Sequence, residues 1–319
     1  MKSRRPDVAD SLLQRTMIPV LVAMFVAGAG AAQPERVTIM TYNVKNMYDV
    51  FDDPYTFDEG TPVKPRAEIK LIASLIAKLD PDIVAFEELE NEGVLKAMVR
   101  EMLPDGGYQY VAAMPANSGR GGNLGLISRQ PIVSLTSHRF TDLALEMDHK
   151  NRAWRFARDL LRIRIKLTAS QVLDLYIAHF KSRRDSGSDT KSRHWRLAEA
   201  IAARRIIDRD RRRHPEHWML LLGDLNDTPG SKTLQALLAP GQQPAAVAPL
   251  IDLHVRLQSQ DRITYLRRPY RTTVDYMLAN PALAGRLVPG SAHVVSDDLL
   301  LGGSDHAPVL ATFDLAGLK

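Results

Sequence analysis

The sequence predicts an α/β protein in which two packed β-sheets are flanked by helices, in preference to one parallel sheet. Three observations carry this reading. Short apolar runs that read as strands recur from Thr38 to Phe313, several of them joined by connections of hairpin length. Three longer segments instead repeat their apolar residues at helical spacing. With 319 residues and 45% hydrophobic content, the chain can bury a large core in one domain of about 280 residues.

Met17 to Ala32 form an apolar, small-residue run behind Arg4, Arg5 and Arg15, ending Ala29-Gly30-Ala31-Ala32-Gln33. A basic stretch, an apolar stretch and a small-residue cleavage site are the parts of an export signal. Residues 1–32 are therefore expected to be a removable signal peptide and residues 33–319 a single domain. The strongly apolar part, Ile18 to Ala29, is about 12 residues with Pro19 and Gly28 inside it, short of the roughly 20 that span a bilayer. The mature protein is expected in the periplasm or the medium, without a membrane span. Asp7 and Asp10 depart from the usual basic leader.

Thr38 to Val44 reads as a strand that delivers Asn43 at its end. Arg66 to Lys78 places Ile69, Ile72, Leu75 and Ile76 on one helical face, continued by Leu79, and Pro81 stops the helix. A buried-type strand from Asp82 runs into the acidic cluster Glu87, Glu88 and Glu90, and a second helix covers Asn91 to Leu103. Strands are expected around Tyr108–Val111, Leu124–Ile127, Ile132–Leu135, Leu160–Leu167 and Leu173–Ala178, the last handing His179 to a polar loop. Ser192 to Arg211 reads as a long basic helix with Leu197, Ala200, Ile201 and Ile207 toward the core.

The apolar strand from Trp218 ends at Gly223 and presents Asp224 and Asn226, on one side if the backbone stays extended. Val274 to Leu278 carries Asp275 in an apolar setting, where an unpaired carboxylate would be expensive. Ser304-Asp305-His306 then precedes the alternating strand Val309 to Phe313. Of three long loops, Asp49–Pro65 and Ser182–Lys191 adjoin these polar ends, and Ala239–Pro249 is expected to be inert.

Each polar end alone has a bland explanation. Asp224 and Asn226 are ordinary turn formers, Glu88 suits an acidic surface loop, and an Asp-His pair at a loop–strand junction is commonly structural. Five such ends together describe an oxygen-rich pocket with two imidazoles, which by composition is a divalent-metal phosphoester site. Cysteine is absent, which excludes thiol catalysis, a thiolate metal site and a lipidated cysteine. The net charge of +5 suits an anionic substrate, although Lys2, Arg4, Arg5 and Arg15 against Asp7 and Asp10 place +2 of it in the first 32 residues. His138, His149, His194, His214, His217, His254 and His293 are read as surface or structural.

The motifs Thr41-Tyr42-Asn43, Glu87-Glu88, Ala178-His179-Phe180-Lys181-Ser182, Gly223-Asp224-Leu225-Asn226, Val274-Asp275-Tyr276-Met277-Leu278 and Ser304-Asp305-His306 occur in one order. In that order the chain resembles the endonuclease/exonuclease/phosphatase superfamily, the deoxyribonuclease I-like proteins, over roughly residues 36 to 316. The opening around Asn43 to Asp49, with Glu88-Leu89-Glu90-Asn91, is most similar to its exported bacterial branch. Glu87 stands where that pattern has Gln, and Leu225 where it has Phe.

The resemblance implies a four-layer α/β sandwich and a metal-dependent phosphoesterase. Glu88, with Asn43 and Asp305, would hold Mg²⁺ (Mn²⁺ or Ca²⁺ being the alternatives). His306, oriented by Asp275, would take the proton of the attacking water, which Asp224 and Asn226 position. His179 would stabilise the pentavalent charge or protonate the leaving oxygen. Arg158 resembles the family's phosphate-contacting arginine. Lys181, Arg183 and Arg184 follow His179 directly and are expected on the substrate, whereas Arg204 to Arg213 reads as a solvated helix face.

The expected activity is that of an exported monomeric nuclease acting on DNA or RNA, without a stable protein partner. The alternative is a phospholipid or small-molecule phosphodiesterase or phosphatase, of sphingomyelinase or inositol-phosphatase type. With 6% aromatics and no evident aromatic hairpin, the lipid reading is disfavoured. A catalytically silent binding module is disfavoured by the completeness of the motif set.

Overall fold

A computed structural model describes residues 35–51, 59–145, 153–239, 247–296 and 301–318. The expected signal peptide lies outside these residues, as do parts of two long loops and His149. The elements run β1 (Arg36–Met47), α1 (Arg66–Leu79), β2 (Ile83–Leu89), α2 (Glu92–Met102), β3 (Tyr110–Met114) and β4 (Asn123–Ser128). Then follow β5 (Ile132–Ser137), β6 (Leu160–Lys166), β7 (Val172–Ala178), α3 (Arg193–Arg213), β8 (Trp218–Asp224) and α4 (Lys232–Leu238). The chain closes with β9 (Ile251–Asp252), β10 (Asp275–Ala279), α5 (Pro281–Ala284), β11 (His293–Val294) and β12 (Val309–Asp314).

Two six-stranded sheets result, ordered β11-β12-β1-β2-β4-β3 and β5-β6-β7-β8-β10-β9. Only β1 with β2 and β7 with β8 are parallel among the named pairs, and each of these pairs is joined through a long helix, α1 or α3, as a parallel crossover requires. The inner faces meet in one apolar core, with Val37, Ile39, Ile83 and Leu126 from the first sheet against Ile163, Leu175, Leu220 and Met277 from the second. The outer face of the first sheet packs on α1 and α2 through Met40, Val84 and Phe86 against Ile72, Ile76 and Leu95. The other outer face packs on α3 and α4 through Tyr176, Leu221 and Leu278 against Ala203, Ile207 and Leu237. These are the four layers of an α/β sandwich.

The pairing registers bring polar residues to one rim. The C-terminal ends of β1, β2, β7 and β8 meet the N-terminal ends of β10 and β12, with Asp275 opposite Asp224 and Val309 opposite Thr41. Local signals explain most boundaries. Asp80 ends α1 in the left-handed region at φ 49°, and the Asn91 side chain caps α2 by accepting from Val94 N at 3.1 Å.

Three expectations need correction. The third strand starts two residues late, with backbone pairing beginning at Tyr110, while the Tyr108 hydroxyl donates to the Pro81 carbonyl at 2.6 Å. On α3, Leu197 and Ile201 are only half-buried, while Arg196, Glu199 and Arg204 are buried beside Ala200, Ala203 and Ile207. Arg204 is thus no solvated cation: it pairs with Asp208 at 2.9 Å and donates to the Leu237 carbonyl at 2.7 Å. Among the described residues, no helix is long and apolar enough to cross a membrane.

Candidate active site

At the end of β2 a bulge shifts the register between Glu87 and Leu89 and puts Glu88 at φ 63°. Asn226, after β8, sits at φ 52°. A left-handed conformation at a residue other than glycine costs on the order of 1–3 kcal/mol and persists only where the surroundings enforce it, commonly at functional sites. The bulge separates the two acids: Glu87 is fully buried, whereas the Glu88 side chain keeps 20% exposure. Gly223 is required for another reason. At φ 120°, a Cβ there would lie 2.2 Å from the Ala178 carbonyl oxygen and 2.8 Å from Glu87 Oε1.

The predicted residues of both sheets interlock. Asn43, buried at the end of β1, donates from Nδ2 to Asp224 Oδ2 at 3.2 Å and accepts from Lys45 N at 3.0 Å. Asn226 donates to Asp224 from its backbone at 2.8 Å and from Nδ2 at 3.1 Å. The two therefore share a side because of a left-handed turn, not because the strand stays extended. His179 Nε2 lies 3.5 Å from Asp224 Oδ2 and 3.9 Å from Glu88 Oε1. His306 Nδ1 meets Asp275 Oδ2 at 2.8 Å, which accounts for the acid buried in β10. Asp305 is half-buried beside this pair.

Charge is crowded here. Burial, reinforced by Asp275, lifts Asp224 to about 7 and holds Glu87 well above the usual carboxyl range. Burial opposes a charged His306, but Asp275, with Asp224 and Asp305, outweighs it and raises the imidazole to about 10. His179, buried and facing Arg158, is pushed well below the ordinary imidazole range and stays neutral. Glu87 Oε2 and Asp275 Oδ1 are buried without a hydrogen-bond partner. An excess of carboxylate oxygen with orphaned lone pairs fits a divalent cation.

One ligand-type cluster here is Asp224, Asp275 and His306, with one donor atom from each within 4.8 Å of the others. All three are buried, and His306 Nδ1 is already committed to Asp275. Glu88 and Asp305 are less buried than that trio.

Arg158 donates to the Phe180 carbonyl at 3.3 Å, and Lys181 Nζ stands 5.5 Å from the Trp195 ring centroid. Arg183 and Arg184 are exposed. Asp227, next to the motif, is structural: it pairs with buried Arg196 at 3.3 Å and accepts from Thr233 Oγ1 at 2.8 Å.

Sequence reasoning missed a second flank. Leu266 N donates to the Asp305 carbonyl at 2.8 Å, Ala307 N donates to the Thr264 carbonyl at 2.7 Å, and the Tyr265 ring centroid is 5.1 Å from that of His306. The arm so anchored carries exposed Arg267, Arg268 and Arg271, with Tyr270 69% exposed. The available signal was the run Arg267-Arg268-Pro269-Tyr270-Arg271 just ahead of the Asp275 strand.

Similarity to known proteins follows the same outline. The chain is similar in structure to the human Nocturnin catalytic domain with bound sulfate, at TM-score 0.63 and 16% identity over 88% of this chain and 94% of that one. It is similar to D. rerio TDP2 complexed with a single-strand DNA product, at TM-score 0.58 and 17% identity over 88% and 100%. A Bacteroides vulgatus endonuclease/exonuclease/phosphatase gives 0.59 and 15% over 88% and 99%. At such identities these likenesses concern the fold alone. A comparison with curated protein sequences gives no match. The family model described as Endonuclease/Exonuclease/phosphatase family matches residues 38–307, from the first strand to the residue after His306, and the chain belongs to that family.

Proposed function

We propose that this metal-dependent phosphoesterase is an exported nuclease that uses Mg²⁺ to hydrolyse phosphodiester bonds of DNA or RNA and acts as a monomer. The observation that carries the reading is the meeting of Asn43, Glu88, His179, Asp224, Asn226, Asp275 and His306 at one rim of the sandwich. Lys181, Arg183 and Arg184 follow His179 in the chain, and Arg267, Arg268 and Arg271 sit on the arm bonded to Asp305, so they would give that rim two basic flanks. A polymeric anion suits two flanks better than a small phosphate does. Exposed Tyr270 adds a surface on which an unpaired base can stack. The similar TDP2 structure carrying a single-strand DNA product agrees with this choice.

Asn43, Glu88 and Asp305 would hold the cation. When bound, it supplies Lewis-acid polarisation of a phosphate oxygen and positive charge against the carboxylates. Asp275 fixes the ring of His306 through Nδ1 and leaves Nε2 to exchange a proton with the attacking water. Asp224, held by both asparagines, orients that water. His179, kept neutral by burial, offers a ring N–H to the charge that develops on phosphorus or to the leaving oxygen.

One observation favours a lipid phosphodiester instead. Val50 and Phe51, just past β1, are 75% and 77% exposed, a hydrophobic tip that the low aromatic content did not suggest. The purified protein should be assayed with Mg²⁺ against plasmid DNA, RNA, sphingomyelin and a small diester. Nucleic acid should be cleaved, EDTA should abolish turnover, and Glu88→Gln should do the same with the fold intact. Turnover that survives either perturbation removes the metal assignment, and cleavage of sphingomyelin alone moves the reading to lipid.

A further inference from the structure

Away from the active site, the turn between α3 and β8 gathers His214, Glu216 and His217, with one donor atom from each within 4.8 Å of the others. His214 Nδ1 lies 3.6 Å from Glu216 Oε1, and His217 Nε2 lies 3.4 Å from the same oxygen. Both distances exceed a normal hydrogen bond. They match the edge of a tetrahedron: bonds of about 2.0–2.2 Å to a central Zn²⁺ separate its ligands by about 3.3–3.6 Å.

The surroundings hold this turn ready. His217 Nδ1 is tied to Asp174 Oδ2 at 2.8 Å, and Asp174 is tied in turn to Arg164 at 2.9 Å. A carboxylate on the far ring nitrogen fixes the orientation of an imidazole and leaves Nε2 for a metal. Gln171 Nε2 donates to the Glu216 carbonyl at 3.2 Å, Asn280 Nδ2 donates to that of His217 at 3.3 Å, and His217 N donates to the His214 carbonyl at 3.1 Å. The C-terminal end of α3 adds peptide dipoles that favour a cation, although Arg212 and Arg213 already share that end. The two imidazoles stack nearly parallel, 7° apart with centroids 4.6 Å apart, so one ring must turn for both to bind in plane. His214, 36% exposed, is free to do so, while His217 at 12% stays fixed.

We propose that His214, Glu216 and His217 form a second, Zn²⁺-type metal site, with water in the fourth position, that clips the end of α3 to the start of β8. Two imidazoles and one carboxylate select a borderline transition ion over Mg²⁺, which separates this site chemically from the oxygen-rich pocket. The inference stands independently of the proposed nuclease activity.

The test is a calorimetric titration of the metal-stripped full chain with Zn²⁺ in excess Mg²⁺, with thermal unfolding followed in parallel. Wild type and Glu88→Gln should both show a Zn²⁺ site, and Zn²⁺ should raise Tm. In His214→Ala that site should weaken at least about tenfold, with Mg²⁺-dependent hydrolysis unchanged. Glu216→Gln should weaken it as well. Equal Zn²⁺ affinity and stoichiometry in wild type and His214→Ala would overturn the proposal. His217→Ala gives up the Asp174 bond, so if it fails to fold, the exposed His214 and Glu216 variants decide the matter.

Discussion

Glu199→Gln should change how stability depends on pH. Glu199 is buried on α3, and its two oxygens accept from Ala157 N at 2.7 Å and Lys181 N at 2.8 Å, bracing the segments that carry Arg158 and Lys181. Burial lifts its folded-state pKa from 4.5 to about 7, despite the two backbone donors and the nearby arginines. A carboxyl raised in this way contributes stability fully below its unfolded pKa, and that contribution is lost as pH rises through the folded value. At 1.36 kcal/mol per pKa unit, wild type loses about 3 kcal/mol from this group between about pH 4.5 and pH 8. The glutamine variant does not titrate. Its amide nitrogen faces one backbone N–H, an unpaired buried donor that costs about 1–3 kcal/mol at every pH. The variant should therefore be the weaker protein near pH 5 and draw level with wild type near pH 8. Urea unfolding of both at several pH values, at fixed ionic strength, measures the gap. Other titrating groups, such as buried Asp159 at about 6, cancel in the difference. A gap that stays constant with pH would refute the argument.

Three further outcomes are expected. His306→Ala should lower kcat/KM by about 10²–10⁴-fold and Asp275→Asn by less, and wild-type activity should rise as pH approaches about 10, where the imidazole loses its proton and can accept one from water; a near-normal alanine variant removes His306 from catalysis. Neutralising Arg183 and Arg184 should flatten the salt dependence of DNA binding, whose log–log slope is about −0.7 to −0.9 per phosphate engaged, and leave a small diester nearly unaffected. An unchanged slope would move the substrate path to the Arg267–Arg271 arm. N-terminal sequencing of protein from the envelope or medium should begin near Gln33, and a cytosolic full-length product would count against export.

The strand ends were legible because a strand that finishes an apolar run in a polar residue has few places to put it. Asn43, Glu88, His179 and Asp224 were found that way, Asp275 because an unpaired carboxylate amid an apolar strand would be expensive, and His306 through its acidic neighbour. The interior of α3 was not legible, since buried Arg196, Glu199 and Arg204 read as surface charge until Asp227, the backbone N–H groups and Asp208 are placed around them. Asn226 was found by the wrong geometry, because φ 52° depends on the hydrogen bonds that Asp224 offers. The Arg267–Arg271 arm lacks periodicity, and tertiary contacts tie it to the site: the bond from Leu266 N to the Asp305 carbonyl, that from Ala307 N to the Thr264 carbonyl, and the Tyr265 ring against His306. α4, seven residues long, is too short for its pattern to stand out.

The crowding at Gly223 sets a limit on redesign. With no space for even one methyl group between β8 and the Ala178 carbonyl, the spacing of His179 from Asp224 is fixed by the thickness of two backbones. Replacing core side chains elsewhere leaves that ruler in place, whereas any residue larger than glycine lengthens it. Selection for new substrates on this scaffold will therefore draw its useful mutations from the two basic flanks and the Val50–Phe51 tip, and alanine at position 223 should be among the least tolerated changes in the chain.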